Sequence, residues 1–464
     1  MLALELNDAQ LILAAAQGAE QARIVASAPG IACVTEAQLL TGAAAAQQAK
    51  LQPQRCHNRY WQELSAAPLG RAPRPQLSAA DLAYEQLRAL LAAAGGAESR
   101  LIVAVPAGLT REQLGLLLGI TLAAGITETG LVDAALAACA LAPIPPHVLH
   151  LELQRHRAVV TAIEQEGGGA RRARFELDAG CGLQRLEQLC IEVVAGNFVR
   201  ATRFDPLYQA RTEQLLADGA WGWLQALQAA DAVPVSLLAG SENLQVDLTR
   251  KQWLAAAESC FAAILQLVQG ARPAGLQVEL RVGERAQALP GLVERLQALS
   301  SCVVTLLPPG AAACGALRQH AAIFRGAEPA LMYRLPIEAV VAAGSDNPEL
   351  PRPAAGQAAT HVLCGGQAWP LRAEPLTVGT QVPAGLRSLP LPPGLAGVSR
   401  VHCRLLLRDG VACVEDLSTY GSFINEERVH GQAALRRGDR LRLGAPGIVL
   451  EAIELVDEHA APPV

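Results

Sequence analysis

At 464 residues the chain is long enough for about three domains of ~150 residues each. Hydrophobic residues make up 51% and charged residues 17%, which excludes a disordered scaffold for most of the length. Aromatics are only 3% and the net charge is −5, so neither a base-stacking platform nor a polyanion-binding surface is expected, and nucleic acid is excluded as the main partner.

Arginine supplies almost every cation, because Lys50 and Lys251 are the two lysines. The 11 cysteines show neither a C-x-x-C pair nor Cys/His ligand spacing. They are expected to be small buried residues of a reducing compartment, with no metal site. Residues 1–13 have no basic leader region and carry Glu5 and Asp8 within their apolar pattern, so export is not expected. Apolar stretches such as 114–124 are broken by glycine and fall short of the ~20 residues a spanning helix needs. A cytoplasmic chain without membrane insertion is the expectation.

In chain order, the first feature is an internal echo. Leu4-Glu5-Leu6-Asn7-Asp8 and Leu151-Glu152-Leu153-Gln154-Arg155 share L-E-L and an amide, and each is followed by a second apolar run. Both read as a strand, a short polar turn and a returning strand. After the first hairpin the pattern predicts a helix over 79–93, a strand over 101–105, a helix from 110, a strand near 126–132 and a helix from 133. After the second it predicts helices over 183–198 and 211–230 and a strand at 244–248. A long helix capped by Thr249 then runs to 268. A strand at 276–282, a helix to 299, a strand at 302–307 and a helix from 311 complete the half.

This layout resembles the actin and heat-shock-chaperone ATPase superfamily over residues 1–325. Val103-Ala104-Val105-Pro106-Ala107, Leu131-Val132-Asp133-Ala134-Ala135-Leu136 and Pro309-Gly310-Ala311-Ala312-Ala313-Cys314-Gly315-Ala316 resemble segments of the chaperones in the same order. The resemblance implies a duplicated, ribonuclease-H-like, two-lobed α/β body with lobes at about 1–146 and 147–325. It also implies a nucleotide held between two D-x-G-T hairpin turns. The residues at those turns oppose that chemistry. A phosphate turn needs glycines for backbone approach and a small hydroxyl, whereas Asn7-Asp8 and Gln154-Arg155 stand there, with Glu5 and Glu152 in place of aspartates. The adenosine loop resembles Gly283-Glu284-Arg285-Ala286-Gln287-Ala288-Leu289-Pro290, with Glu284 in place of the second glycine. Glu5, Glu152 and Gly283 are thus the remnants of a cofactor site. Arg59 is the one cation near the place of the chaperones' lysine, and Lys50 lies earlier. No catalytic residue and no cofactor are expected. Two alternatives stay open: a working chaperone-like ATPase, in which Glu5 and Glu152 position a water on ATP-bound magnesium, and an α/β scaffold of another topology.

Residues 326–358 lose periodicity and gather proline and glycine, which predicts a linker. Short β runs at regular intervals then predict a sandwich over 359–457, ahead of a tail at 458–464. Ser399-Arg400-Val401-His402, Asp416-Leu417-Ser418-Thr419-Tyr420-Gly421-Ser422-Phe423-Ile424-Asn425 and Leu435-Arg436-Arg437-Gly438-Asp439-Arg440-Leu441 resemble, in order, the motifs of forkhead-associated (FHA) domains. The resemblance implies a protein partner carrying phosphothreonine, met by Ser399, Arg400, Ser418 and Thr419. Gly379, His402, Gly421 and Asn425 would brace the loops. Thr380 replaces the arginine that anchors phosphate, and Tyr420 replaces an asparagine; Arg387 is the candidate substitute cation. Phosphate-dependent and phosphate-independent binding both remain open at this point, and a non-enzymatic adaptor or scaffold is the leading reading.

Overall fold

A computed structural model describes residues 1–17, 21–70, 74, 76–96, 98–239, 242–273, 276–325, 330–339, 359–364, 367–383, 385–392, 395, 397–408, 410–425, 427–444 and 447–454. The chain divides into two compact units, Met1–Leu267 with Glu279–Val341, and Val268–Val278 with Ala342–Val464.

The first unit is a mixed α/β body. Its strands are β1 (Leu2–Glu5), β2 (Leu11–Gln17), β3 (Gln21–Ala28), β4 (Ala32–Val34), β5 (Leu39–Thr41), β6 (Cys56–His57), β7 (Arg100–Val105), β8 (Glu128–Asp133), β9 (His147–Leu153), β10 (Ala158–Glu166), β11 (Gly169–Asp178), β12 (Ala232–Ala239), β13 (Glu242–Thr249), β14 (Val278–Val282), β15 (Cys302–Leu306), β16 (Leu331–Met332) and β17 (Arg334–Leu335). Two sheets repeat one plan. The first has the order β16-β8-β7-β1-β2-β3, and the second β15-β14-β9-β10-β11-β17. In each, an antiparallel hairpin (β1–β2, β9–β10) continues into a third antiparallel strand, and the hairpin's first strand pairs in parallel with a later one, β7 or β14. The sequence echo therefore marks equivalent hairpins in equivalent sheets.

The apolar runs of β1 and β7 are buried on both faces, as expected for a sheet covered by helices on each side. Leu2, Leu4, Leu101, Val103 and Val105 pack toward the helix Ala79–Ala93, while Ala3, Ile102 and Ala104 face the helices Ala134–Cys139 and Ala311–Arg318. The last two helices touch closely, since a Cβ on Gly315 would lie 1.8 Å from the Ala137 carbonyl oxygen. Local signals set the helix starts. Ser78 with Asp81 and Thr110 with Gln113 form capping boxes, and Asp133 caps its helix by accepting from Leu136 N.

Several expectations are corrected here. The third strands β3 and β11 and the strand β12 were not expected. The helix expected up to 299 is two short pieces, Glu284–Gln287 and Leu292–Gln297, separated at Pro290 and Gly291, where Gly291 takes φ 86°. Residues expected to belong to the linker pair instead as β16 with β8 and β17 with β11. Of the expected linker, 326–329 and 340–358 lie outside the described residues, as does the tail at 458–464. Arg250–Ala271 is the helix among the described residues long and apolar enough to cross a membrane. It buries Trp253, Ala257, Phe261, Ile264 and Val268 along one stripe.

The second unit contains a β-sandwich of β18 (His361–Cys364), β19 (Gln367–Pro370), β20 (Leu376–Gly379), β21 (Ser388–Pro390), β22 (Cys403–Arg408), β23 (Val411–Asp416), β24 (Ser422–Ile424), β25 (Glu427–Arg428), β26 (Gln432–Ala434), β27 (Arg440–Leu443) and β28 (Ile448–Ile453). The sheets run β19-β18-β28-β27-β24-β25 and β21-β20-β22-β23-β26. Val362, Leu376, Val378, Leu405, Val414, Leu441, Leu443 and Leu450 alternate inward along their strands and form the core.

Candidate functional site

Two places gather the residues singled out in the sequence: the hairpin turns of the body and the loops at one end of the sandwich.

In the body the two hairpin turns bond to each other. Asn7 Nδ2 donates to Glu152 Oε1 (2.8 Å) and to the Leu153 carbonyl (3.1 Å), and Arg155 N donates to Asp8 Oδ1 (2.8 Å). Arg285, in the loop expected to meet adenosine, turns inward instead. Its Nη1 lies 3.3 Å from Glu5 Oε1 and its Nη2 donates to the Gln10 carbonyl at 2.6 Å. Ala312 N donates to the other Glu5 oxygen (3.2 Å). Burial pushes the Glu5 carboxyl up despite Arg285, and it pushes Asp8 and Glu152 up as well.

Little space is left around this contact. One residual cavity, about 20 Å³, is lined by Glu5, His150, Glu152, Gly283, Glu284 and Arg285, and a second of about 20 Å³ by Asp8, Trp61, Gln62, Gln154 and Arg157. Each has room for about one water, whereas small-molecule pockets run to roughly 300–1,000 Å³. Of the two cations considered near this site, Lys50 binds Glu213 (2.8 Å) and Arg59 lies 3.9 Å from Glu63. Arg285 and Asn7, which do most of the bridging, are the residues sequence reasoning did not single out. The signal available in the sequence was the place of Glu5 between Leu4 and Leu6 in an apolar run, where a carboxylate, if buried, needs a partner.

In the sandwich, the His402 side chain ties the Ser399 loop to the Gly421 loop. Ser399 N donates to His402 Nδ1 (3.0 Å), and His402 Nε2 faces the Gly421 carbonyl at 3.1 Å. Because Nδ1 accepts, the proton sits on Nε2 and the ring is neutral. Burial pulls its pKa down, in keeping with that state. Ser399 Oγ accepts from Thr419 N (3.2 Å), which brings the two hydroxyl residues of the motif loops side by side. Thr419 is exposed and Arg400 is exposed, and no partner for the Arg400 guanidinium exists among the described residues. Gly379 is sterically required, because a Cβ there would sit 2.1 Å from the Arg400 carbonyl oxygen. Thr380 N and Oγ1 donate to the Ser399 carbonyl (3.3 and 3.4 Å), so the position of the missing arginine is spent on loop bracing.

Two expected ligand-contacting residues take other roles. Ser418 Oγ donates to Asp416 Oδ1 (2.8 Å) and accepts from Gly421 N (2.7 Å), so its hydroxyl is consumed inside the turn. Arg387 is not a substitute anchor. It precedes β21, which runs parallel to β20 with Ser388 beside Thr377, so it lies at the end of β20 away from Thr380. Its guanidinium donates to the Pro370 and Glu374 carbonyls. Asn425, at φ 49°, closes the turn after β24 by donating to Asp439 Oδ1 (2.7 Å) and accepting from Arg440 N (2.9 Å). Gly421 takes φ 85°, a left-handed conformation that favours glycine.

Residues 387–444 match the family model of the FHA domain. No curated protein matches the chain. This part of the chain is accordingly an FHA domain, a phosphoprotein-binding module.

Proposed function

We propose that the chain is a non-enzymatic adaptor whose FHA domain reads phosphothreonine on a protein partner, carried on a body that is a degenerate actin-like fold without nucleotide chemistry. The observation that carries the reading is the cluster at the loop end of the sandwich. Ser399 and Thr419 are side by side, and the adjacent Arg400 is exposed and without a partner among the described residues. Hydroxyls on adjacent loops, with an exposed guanidinium on the residue next to Ser399, are the groups a phosphate dianion requires. Arg400, not Arg387, takes the charge role left open by Thr380. Lacking the usual anchor, the site binds through one guanidinium, and each charge-assisted hydrogen bond contributes about 1.5–3 kcal/mol.

For the body, the repeated strand plan and the paired hairpins support the actin-like assignment. The bonds from Asn7, Arg155 and Arg285 across the hairpin turns, with cavities of about 20 Å³ beside them, support a site closed to nucleotide. Function then resides in binding, in a reducing cytoplasmic setting where all 11 cysteines are free thiols.

The test is a phosphothreonine-oriented peptide library and its unphosphorylated counterpart, each presented to the full-length chain. Selective retention of phosphorylated peptides, lost in the Ser399→Ala/Thr419→Ala double variant, is the expected result. Equal retention of both libraries would refute phosphate reading.

A further inference from the structure

Two cysteines in the small sheet of the body stand directly opposite each other. β4 pairs antiparallel with β6 in the register Ala32↔His57 and Cys33↔Cys56. Directly opposed residues of such a pair project from one face, with Cα and Cβ separations of roughly 4.5–5.5 Å. A disulfide spans Cα separations of about 4.4–6.8 Å. Packing agrees with the shared face, because Cys33 and Cys56 belong to one apolar cluster with Ile31, Leu40 and Ala45. Cys33 is buried and Cys56 half-buried, so Cys56 is the sulfur an external reagent meets first.

We propose that Cys33 and Cys56 are a redox modification site that closes reversibly into a cross-strand disulfide, with low-molecular-weight disulfides of the glutathione type as oxidant. This goes beyond the phosphothreonine reading and does not depend on it. The Cys56 thiolate attacks one sulfur of oxidised glutathione, expelling the first glutathione thiolate and leaving a mixed disulfide on Cys56. The Cys33 thiolate then attacks the Cys56 sulfur and expels the second glutathione. Two protein thiols and one glutathione disulfide thus become one protein disulfide and two glutathione thiols, so protons and electrons balance.

The link has a place to act. β6 leads straight into Asn58, whose carbonyl faces His156 Nε2 (3.0 Å) and whose Nδ2 donates to Gln184 Oε1 (2.8 Å). Fixing Cys56 therefore restrains the strand that carries these bonds to the second hairpin and the helix after it. Burial, with Cys33 beside it, pushes the Cys56 thiol up to about 12, so the first step is slow at neutral pH and speeds about tenfold per pH unit. Cys260, whose thiol a hydrogen bond from Cys181 holds below its ordinary value, is a second thiol that can be lost. The informative readout is accordingly which sulfurs become joined, not how many thiols are lost.

The experiment incubates the full-length chain with excess oxidised glutathione at pH 7 and pH 8, blocks remaining thiols with N-ethylmaleimide, and maps linked peptides by mass spectrometry. A peptide joining Cys33 to Cys56 is expected. It should form about tenfold faster at pH 8, revert with dithiothreitol and be absent from Cys33→Ser. Cys56 recovered only as its glutathione adduct or as free thiol, in protein with unchanged circular dichroism, would overturn the proposal. Should Cys33→Ser fail to fold, the wild-type linkage map decides the matter alone.

Discussion

Replacing Arg285 with methionine removes the one guanidinium that faces Glu5, whose side chain is 8% exposed against 7% for the arginine. Two losses follow. Among the described residues Glu5 keeps Ala312 N as its remaining donor, and the Gln10 carbonyl loses a donor at 2.6 Å. Breaking a buried pair by deleting one partner typically costs about 3–5 kcal/mol, most of it the uncompensated charge left behind. Glu5→Gln/Arg285→Met removes that charge as well and should recover about half of the loss, leaving the double variant roughly 2 kcal/mol more stable than Arg285→Met alone. Urea unfolding of the full-length chain, followed by tryptophan fluorescence, reads the effect, since Trp61, Trp221, Trp223 and Trp253 lie in the body and Trp369 in the sandwich. A loss below about 1 kcal/mol in Arg285→Met, or no recovery in the double variant, would refute the buried bridge between Glu5 and Arg285.

The neutral His402 makes the FHA loops acid-sensitive. With its folded pKa below the ordinary value near 6.5, the unfolded chain takes up a proton that the folded site resists, so stability present above about pH 6.5 is lost as pH falls below it. Thermal unfolding of the sandwich should move down between pH 7.5 and 5.5, and the movement should vanish in His402→Gln. Gly379→Ala forces a Cβ against the Arg400 carbonyl and should destabilise the sandwich by about 1–3 kcal/mol, read in urea through Trp369; an unchanged midpoint would show the loop is not confined as described. Calorimetric titration with Mg-ATP should give no saturable heat below about 1 mM, equivalent to ~−4 kcal/mol, and binding below that would favour the ATPase alternative.

Much of this architecture was legible because its physics is local. The L-E-L echo marked both hairpins, since apolar runs around a polar turn have few other ways to fold. The cap at Thr249 marked the start of the helix Arg250–Ala271 to the residue, and its hydroxyl accepts from Gln252 N. The third strands β3 and β11 were not legible: β3 is an edge strand, and in β11 the half-buried run Arg171-Arg172-Ala173-Arg174 interrupts the apolar pattern. Two-residue strands such as β16 and β17 exist only through pairing with distant partners and leave no periodic trace. At the FHA site, motif order located Ser399, Thr419 and His402, but hydrogen-bond saturation could not be read from sequence. Ser418 and Arg387 have the right chemistry and are consumed by neighbouring carbonyl and carboxylate groups.

The most direct test of the central claim is fluorescence polarisation with one library-selected peptide in phosphothreonine and unmodified forms, titrated with the wild-type chain and with Arg400→Gln. The account predicts that the wild type prefers the phosphorylated form by more than tenfold, ~1.4 kcal/mol. It also predicts that Arg400→Gln removes most of that preference while leaving affinity for the unmodified peptide unchanged. Equal affinity of the wild type for both forms, or a preference untouched in Arg400→Gln, would contradict it.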